Sequence, residues 1–158
     1  MELRTPRLVL RDFQREDTPS VFAYQSKPAY LKYYGQPPPT EEDVIAFVAL
    51  LCRWAEEVPR AKYQLAITVE GRVIGTCGVR KAAPDDTVAE YGCELDPACW
   101  GHGYAREASR ALLEYAVQSL GVTRLFALTQ PGNLGAIRLA ESLGFLRVAD
   151  GRYERIHP

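Results

Sequence analysis

The chain predicts a mixed α/β fold, with one sheet built from both antiparallel and parallel strands. Three observations carry this. Residues 63–95 hold three strand-like runs separated by short turns, the signature of an antiparallel meander. After residue 100 the pattern changes to helix, strand, helix, strand, which calls for a right-handed crossover and a parallel pair. The two parts meet at Trp100-Gly101-His102-Gly103-Tyr104-Ala105, a glycine turn between a strand and a helix.

Taken in order, residues 6–12 (Pro-Arg-Leu-Val-Leu-Arg-Asp) read as a first strand. A short helix over about 16–25 follows, with Val21 and Phe22 on one face. Residues 27–39 are rich in tyrosine and proline, and the run Pro37-Pro38-Pro39 bars a regular helix through it. Thr40 with Asp43 three residues on resembles a capping box. It opens a helix to about Glu57, with Val44, Phe47, Val48, Leu51 and Trp54 at helical spacing. Strands at 63–69 and 73–80 are joined by a turn at Glu70-Gly71-Arg72, and a third runs over 87–95. The helix over 104–120 buries Ala105, Ala108, Leu112, Ala116 and Leu120 and turns Arg106, Glu107, Arg110 and Glu114 to solvent. Gly121 ends it. Residues 122–129 form an apolar strand suited to a sheet interior. Asn133 caps a last helix to Leu143, Phe145 starts another strand, and residues 151–158 add a short edge strand. The count is six to seven strands and about four helices.

Composition narrows the function. The 158 residues suit one domain, and 25% charged with 47% apolar residues is an ordinary globular balance. A net charge of -1 speaks against a general nucleic-acid binder. No apolar run approaches the roughly 20 residues that cross a bilayer, and Arg4, Arg7, Arg11 and Asp12 interrupt any secretory signal. The four cysteines lack zinc-type spacing and sit among apolar neighbours. They read as thiols in or near the core of a cytoplasmic protein, with a catalytic Cys93 or Cys99 as the lesser reading. Two histidines without a carboxylate cluster give no metal site.

The glycine turn points to a phosphate. Glycines let the backbone approach a ligand closely. The first amides of the following helix have no partner within it and carry the positive end of its dipole. A P-loop is excluded, because Gly103-Tyr104-Ala105 stands where Gly-Lys-Ser/Thr is required. A dinucleotide fingerprint is excluded too. Arg106 occupies its third small position, and Thr129-Gln130 stands where an acidic residue belongs.

Two longer segments give this turn its context. They are Glu90-Tyr91-Gly92-Cys93-Glu94-Leu95-Asp96-Pro97 running on to Trp100–Ala108, and Asn133-Leu134-Gly135-Ala136-Ile137-Arg138 through Gly144-Phe145. Together they resemble the GNAT superfamily of acyl-CoA-dependent N-acyltransferases. Trp100 stands where the family loop carries Gln or Arg. That feature, with Thr5-Pro6-Arg7-Leu8-Val9-Leu10-Arg11, is similar to the RimJ/RimL-type branch. The resemblance covers nearly the whole chain and implies a single domain over 1–158.

It also implies a donor, acetyl-CoA, held without a metal. The pyrophosphate would lie on the amides of Gly101, His102, Gly103, Tyr104, Ala105 and Arg106. The pantetheine arm would pair with the backbone of Cys93, Glu94 and Leu95, where one amide would polarise the thioester oxygen. Asn133 would hold the pantetheine or a water, besides capping its helix. Arg106, Arg110 and Arg138 are candidates for the 3′-phosphate.

The acceptor must be a neutral amine. A lysine-type amine costs about 4–5 kcal/mol to deprotonate at pH 7, an α-amine only about 1. A carboxylate acting through water suffices for the latter. Glu90 and Glu94 share one strand face, and Glu90, at a frequent base position of the family, is the expected base. The family's leaving-group tyrosine is replaced by Ala140, leaving Ser142, Tyr104 and Tyr153 as hydroxyl candidates. Tyr30 to Tyr34 and Trp54 fall on the acceptor side. The acceptor is a small-molecule amine or a protein N-terminus, and a second copy of the chain is a candidate partner. The alternatives are a non-catalytic acyl-CoA sensor and a nucleotide-phosphate enzyme.

Overall fold

A computed structural model describes residues 1–34 and 37–157, with the Tyr34 side chain left aside. Gly35, Gln36 and Pro158, which fall in the expected connector and tail, lie outside the described residues. The strands are β1 (Glu2–Arg4), β2 (Val9–Asp12), β3 (Lys62–Val69), β4 (Arg72–Lys81), β5 (Val88–Leu95), β6 (Arg124–Leu128), β7 (Leu146–Ala149) and β8 (Arg152–Ile156). The helices are α1 (Thr18–Gln25), α2 (Pro28–Tyr34), α3 (Glu41–Glu56), α4 (Tyr104–Leu120) and α5 (Leu134–Ser142). All eight strands form one sheet in the order β1-β2-β3-β4-β5-β6-β8-β7. Only β5 and β6 run parallel, with α4 as the crossover.

The expected mixed sheet is present, with one strand and one helix more than counted from sequence. The expected strand over 6–12 begins only at Val9. Thr5 and Leu8 close a turn, Thr5 N donating to Leu8 O at 3.0 Å and Leu8 N to Thr5 Oγ1 at 3.0 Å. This turn pairs β2 with β1, whose three residues are too few to show a period. The segment 27–39 holds a helix after all. Pro28 starts α2, where a missing N–H costs nothing, and the three prolines come only after it ends. The last strand is not at the edge: β8 lies between β6 and β7, leaving β7 outermost.

Strand alternation divides the core in two. Leu65 and Ile67 of β3 face one cluster with Tyr91, Ala108, Leu112, Leu125 and Phe145 under α4 and α5. Ala66 faces the other, with Val21, Tyr24, Val44, Val48 and Leu51 of α1–α3. On β5, Tyr91 bonds Ser109 of α4 at 2.5 Å, whereas Glu94 accepts from Tyr24 of α1 at 2.9 Å. Glu90, Gly92 and Glu94 therefore look toward α1–α3, as the period of two requires. Helix α4 buries Ala108, Ser109, Leu112, Leu113 and Ala116, a stripe shifted from the one expected, with Ala105 and Leu120 at its margins.

Gly75 of β4 sits directly behind the end of β5. A Cβ there would stand 2.2 Å from the Glu94 carbonyl oxygen and 2.8 Å from Leu95 Cα, both backbone atoms that cannot swing aside. Gly75→Ala is expected to cost about 1–3 kcal/mol through overpacking. The check is a thermal melt, in which an unchanged Tm would show that β5 can move away from β4 freely.

Candidate active site

The site begins where two strands part. The parallel register of β5 and β6 runs from Val88–Arg124 to Tyr91–Ala127 and stops there. Beyond it β5 stays with β4 through Leu95, while β6 ends at Leu128 and the chain turns away to Asn133 and α5. The side of Gly92–Leu95 away from β4 has no neighbouring strand among the described residues.

Two cavities lie along this opening. One, of ≈ 390 Å³, is walled by Trp54, Gln64, Arg80, Glu90 and Leu128. The other, of ≈ 450 Å³, is walled by Trp100, Gly101, Gly103, Tyr104, Arg106 and Arg138. Tyr33, Cys93, Glu94, Asn133, Ala136 and Leu139 border both.

The glycine turn is anchored from both ends. Asp96, 4% exposed, accepts from Ala98 N at 2.9 Å and pairs with Lys27 at 2.6 Å and Arg72 at 3.3 Å. Burial opposes its charge, but Lys27 and the Ala98 amide outweigh that and hold its carboxyl below the ordinary range. Trp100 Nε1 donates to Leu95 O at 3.0 Å, so one predicted backbone group, the Leu95 carbonyl, is engaged by the loop. Gly101 and Gly103 take φ of +80° and +78°, which favour glycine, and Gly103 is the N-cap of α4. Among the described residues, the amides of Gly101, His102 and Gly103 donate to no protein acceptor. The first amides of α4 likewise have no partner within the helix. His102 places its ring against the Trp100 carbonyl, 2.9 Å from Nδ1, and stacks on Tyr104 at 5.7 Å, so its side chain is turned away from the cavity.

A second anchor comes from the turn before β2. Arg7 donates to His102 O at 2.9 Å and pairs with Glu107 at 2.7 Å, with its guanidinium 4.7 Å from the Tyr104 ring centre. Glu107 also accepts from Thr5 Oγ1 at 2.6 Å and from the Arg7 amide at 2.9 Å. Glu107 is thus half-buried and tied, not turned to solvent as its helical position suggested. Burial works against its charge, but the Thr5 and Arg7 hydrogen bonds prevail and lower its pKa. No local pattern could have found this contact, since the partners lie 100 residues apart.

On the sheet face below α1–α3, Glu90 pairs with Arg80 at 2.8 Å, and Arg80 also donates to Gln64 Oε1 at 2.5 Å. Gln64 in turn donates to Thr76 at 2.8 Å. Glu94 takes a different set: Tyr24 at 2.9 Å and Gln25 at 3.3 Å on one oxygen, Tyr30 at 2.7 Å on the other. Burial raises its pKa, and these donors only partly offset it. Asn133 is 9% exposed and caps α5, its Oδ1 accepting from Ala136 N at 3.1 Å.

The remaining predicted residues separate cleanly. Ala105, Arg106 and Arg138 border the loop-side cavity, but Arg110 lines a separate cleft with Arg155 and His157. Burial pushes the Cys93 thiol up to about 12 and raises Cys99, so neither is an activated nucleophile. Tyr153 is 4% exposed in the core, which removes it as a leaving-group acid. Tyr104 and Ser142 border the loop-side cavity. Arg80, Gln64, Tyr24 and Arg7 were not singled out from sequence. Arg80 was within reach, since the meander register sets it opposite Glu90.

Glu107→Gln is expected to lower stability by about 1–2 kcal/mol at neutral pH, discounted for the half-exposed Arg7. Because the folded pKa is depressed, this contribution is present above the ordinary glutamate range and is lost as pH falls through the lower folded value. Melts of both proteins across that acid range check it: the gap in Tm should close as pH drops.

Comparison with known proteins fits this geometry. The model of an acetyltransferase (GNAT) domain matches residues 7–146. An uncharacterized N-acetyltransferase p20 of Bacillus licheniformis is 33% identical over 147 residues, covering 90% of this chain and 81% of that protein. The crystal structure of a GNAT-family acetyltransferase from Bacillus anthracis superposes with a TM-score of 0.82 at 24% identity, covering 99% of this chain and 98% of that one. The microcin C7 self-immunity acetyltransferase MccE, solved in complex with acetyl-CoA and AMP, superposes with a TM-score of 0.79 at 15% identity, covering 96% and 93%. The parted strands, the glycine turn that opens α4 and these matches lead to one conclusion: the chain belongs to the GNAT family of acetyltransferases.

Proposed function

We propose that the chain moves an acetyl group from acetyl-CoA to a primary amine by direct attack within a ternary complex. One observation carries the reading: the unaccompanied edge of β5 runs straight into the αL-glycine turn of α4, and both border the same cavity. The donor set fits a diphosphate ester. Three unengaged amides and the start of α4 offer hydrogen bonds, and Arg106 and Arg138 add positive charge on the same wall. When bound, acetyl-CoA supplies an activated acyl group as its thioester.

The protein's own part is binding, orientation and proton traffic. The amides from Gly101 to Arg106 receive the pyrophosphate, and Arg106 and Arg138 reach the 3′-phosphate. The backbone of Cys93 to Leu95 pairs with the pantetheine arm. An amide there faces the oxygen that gains negative charge, where a fixed donor stabilises the transition state more than the ground state. Asn133, held by its capping bond to Ala136 N, borders the same cleft. Glu90, on the far wall of the ≈ 390 Å³ cavity, takes the proton through water. Arg80 fixes its carboxylate in place. Holding both reactants in one cleft supplies much of the rate. The leaving thiolate needs no tyrosine at Ala140, since Tyr104 or Ser142 can serve. The Thr5–Arg11 segment supports the RimJ/RimL-type branch, and with it a protein N-terminal amine as acceptor. Both cavities open on one sheet, which supports reading residues 1–158 as one transferase domain.

Two measurements test this. Coenzyme A should raise Tm more than ATP or NAD does; the reverse order would overturn the donor assignment. Free-thiol release from acetyl-CoA with a panel of amines should identify acceptors, and Glu90→Gln should lower kcat by about 100-fold or more. An unchanged kcat would remove Glu90 from the reaction.

A further inference from the structure

Glu94 is the one carboxylate that borders both cavities, and hence the seam where acyl donor and acceptor must meet. Its partners differ in kind from those of every other carboxylate near the site. Glu90 is paired with Arg80, Asp96 with Lys27 and Arg72, and Glu107 with Arg7. Among the described residues, Glu94 is held only by neutral donors, the hydroxyls of Tyr24 and Tyr30 and the amide of Gln25. Three bonds to both oxygens fix the carboxylate, yet none cancels its charge. Arg80 favours its charge electrostatically without bonding to it, and that guanidinium already serves Glu90 and Gln64. Lys27, close by in sequence to Tyr24 and Tyr30, is taken by Asp96 at 2.6 Å.

A half-buried, oriented negative charge without an ion-pair partner is costly unless a cation completes it. We infer that Glu94 recognises the acceptor as a cation, and that the acceptor is a primary ammonium with no carboxylate beside it: an amide, peptide or aliphatic amine and not a free amino acid. This rests on the transferase reading above and specifies its acceptor. Glu94 receives the ammonium N–H groups at the seam. The proton lost before attack leaves by the water path to Glu90; the free amine then bonds to the acetyl carbon, the carbon–sulfur bond breaks with its electron pair on sulfur, and the second N–H proton passes to the departing thiolate. A free amino acid would bring its own anion within a few ångströms of Glu94, and Arg80 is not free to receive it.

The pH dependence follows from the groups around the carboxylate. Tyr24 and Gln25 of α1, Tyr30 and Tyr33 of α2, Arg80 of β4, and Glu90 and Cys93 of β5 face this region. Burial raises the Glu94 pKa against the tyrosine and glutamine hydrogen bonds. The charge that holds the ammonium is therefore present above that raised value and is lost as pH falls through it.

The experiment compares initial rates on amino-acid amides and on the same free amino acids, across pH, with Tm in coenzyme A as the folding control. The wild-type chain should favour the amide by about tenfold or more in kcat/KM. Glu94→Gln should raise KM for the amide by about 10- to 100-fold, leave kcat within about threefold, and shift the acid limb of kcat/KM. Should Glu94→Gln fail to melt cooperatively, Tyr30→Phe decides. It removes the 2.7 Å donor, raises the carboxyl pKa further and should move the acid limb to higher pH. An unchanged KM and limb in Glu94→Gln, an unmoved limb in Tyr30→Phe, or preference for the free amino acid overturns the assignment while leaving the transferase reading intact. Coenzyme A binding without turnover of any amine overturns both.

Discussion

The rest of this molecule depends on one constraint: β5 cannot keep two neighbours along its whole length. Its ladder with β6 closes after Tyr91–Ala127, although its ladder with β4 continues to Leu95. Main-chain N–H and C=O groups demand partners wherever they lie. A strand that loses its neighbour midway therefore creates a row of polar groups with a fixed spacing and direction. The parting is held open by packing. Gly75 lets β4 press against the end of β5, Asp96 and Trp100 pin the turn that follows, and α5 stands across the gap with Asn133 at its head. Helix α4 can then start beside the bared edge and not at a distance from it.

Charge is distributed around this opening in a graded way. Asp96 and Glu107 are matched with lysine or arginine and sit below their ordinary pKa, so they behave as fixed structural anions. Glu90 is matched with a single arginine on the open wall of a cavity. Glu94 alone is held by neutral groups and moves the other way. Four carboxylates within one short stretch of fold thus meet three kinds of environment. The difference comes from which neighbours the sheet and helices bring, since the side-chain chemistry is the same.

Much of this was legible in the amino-acid order. The meander, the crossover helix, the Thr40 and Asn133 caps and the glycine turn are local patterns, each with its own short-range cause. The family followed from two segments, and Glu90, Arg106 and Asn133, named from the sequence, lie on cavity walls. What escaped was set at long range. The strand Glu2–Arg4 exists because the Thr5–Leu8 turn folds it onto β2, and three residues carry no period of their own. The insertion of β8 between β6 and β7 leaves no local trace. Arg110 shares a helix with Arg106 but, four residues along, falls beside a different cleft. The tyrosines on Glu94 come from helices some 64–70 residues upstream, and one of those helices was hidden by the prolines that follow it.

The loop-side cavity, proposed above for the donor, is bordered by the glycine turn and the bared edge of β5, and the other, proposed for the acceptor, chiefly by side chains of α2, α3 and the sheet face below them. These two kinds of surface respond differently to genetic change. A point substitution can redraw the wall formed by Tyr33, Trp54, Arg80 or Glu94 in a single step, whereas in the turn after Trp100 only a substitution to proline removes an amide N–H. Under the proposed function, the choice of acceptor is therefore open to single side-chain changes that leave the main-chain grip on the acyl carrier as it is.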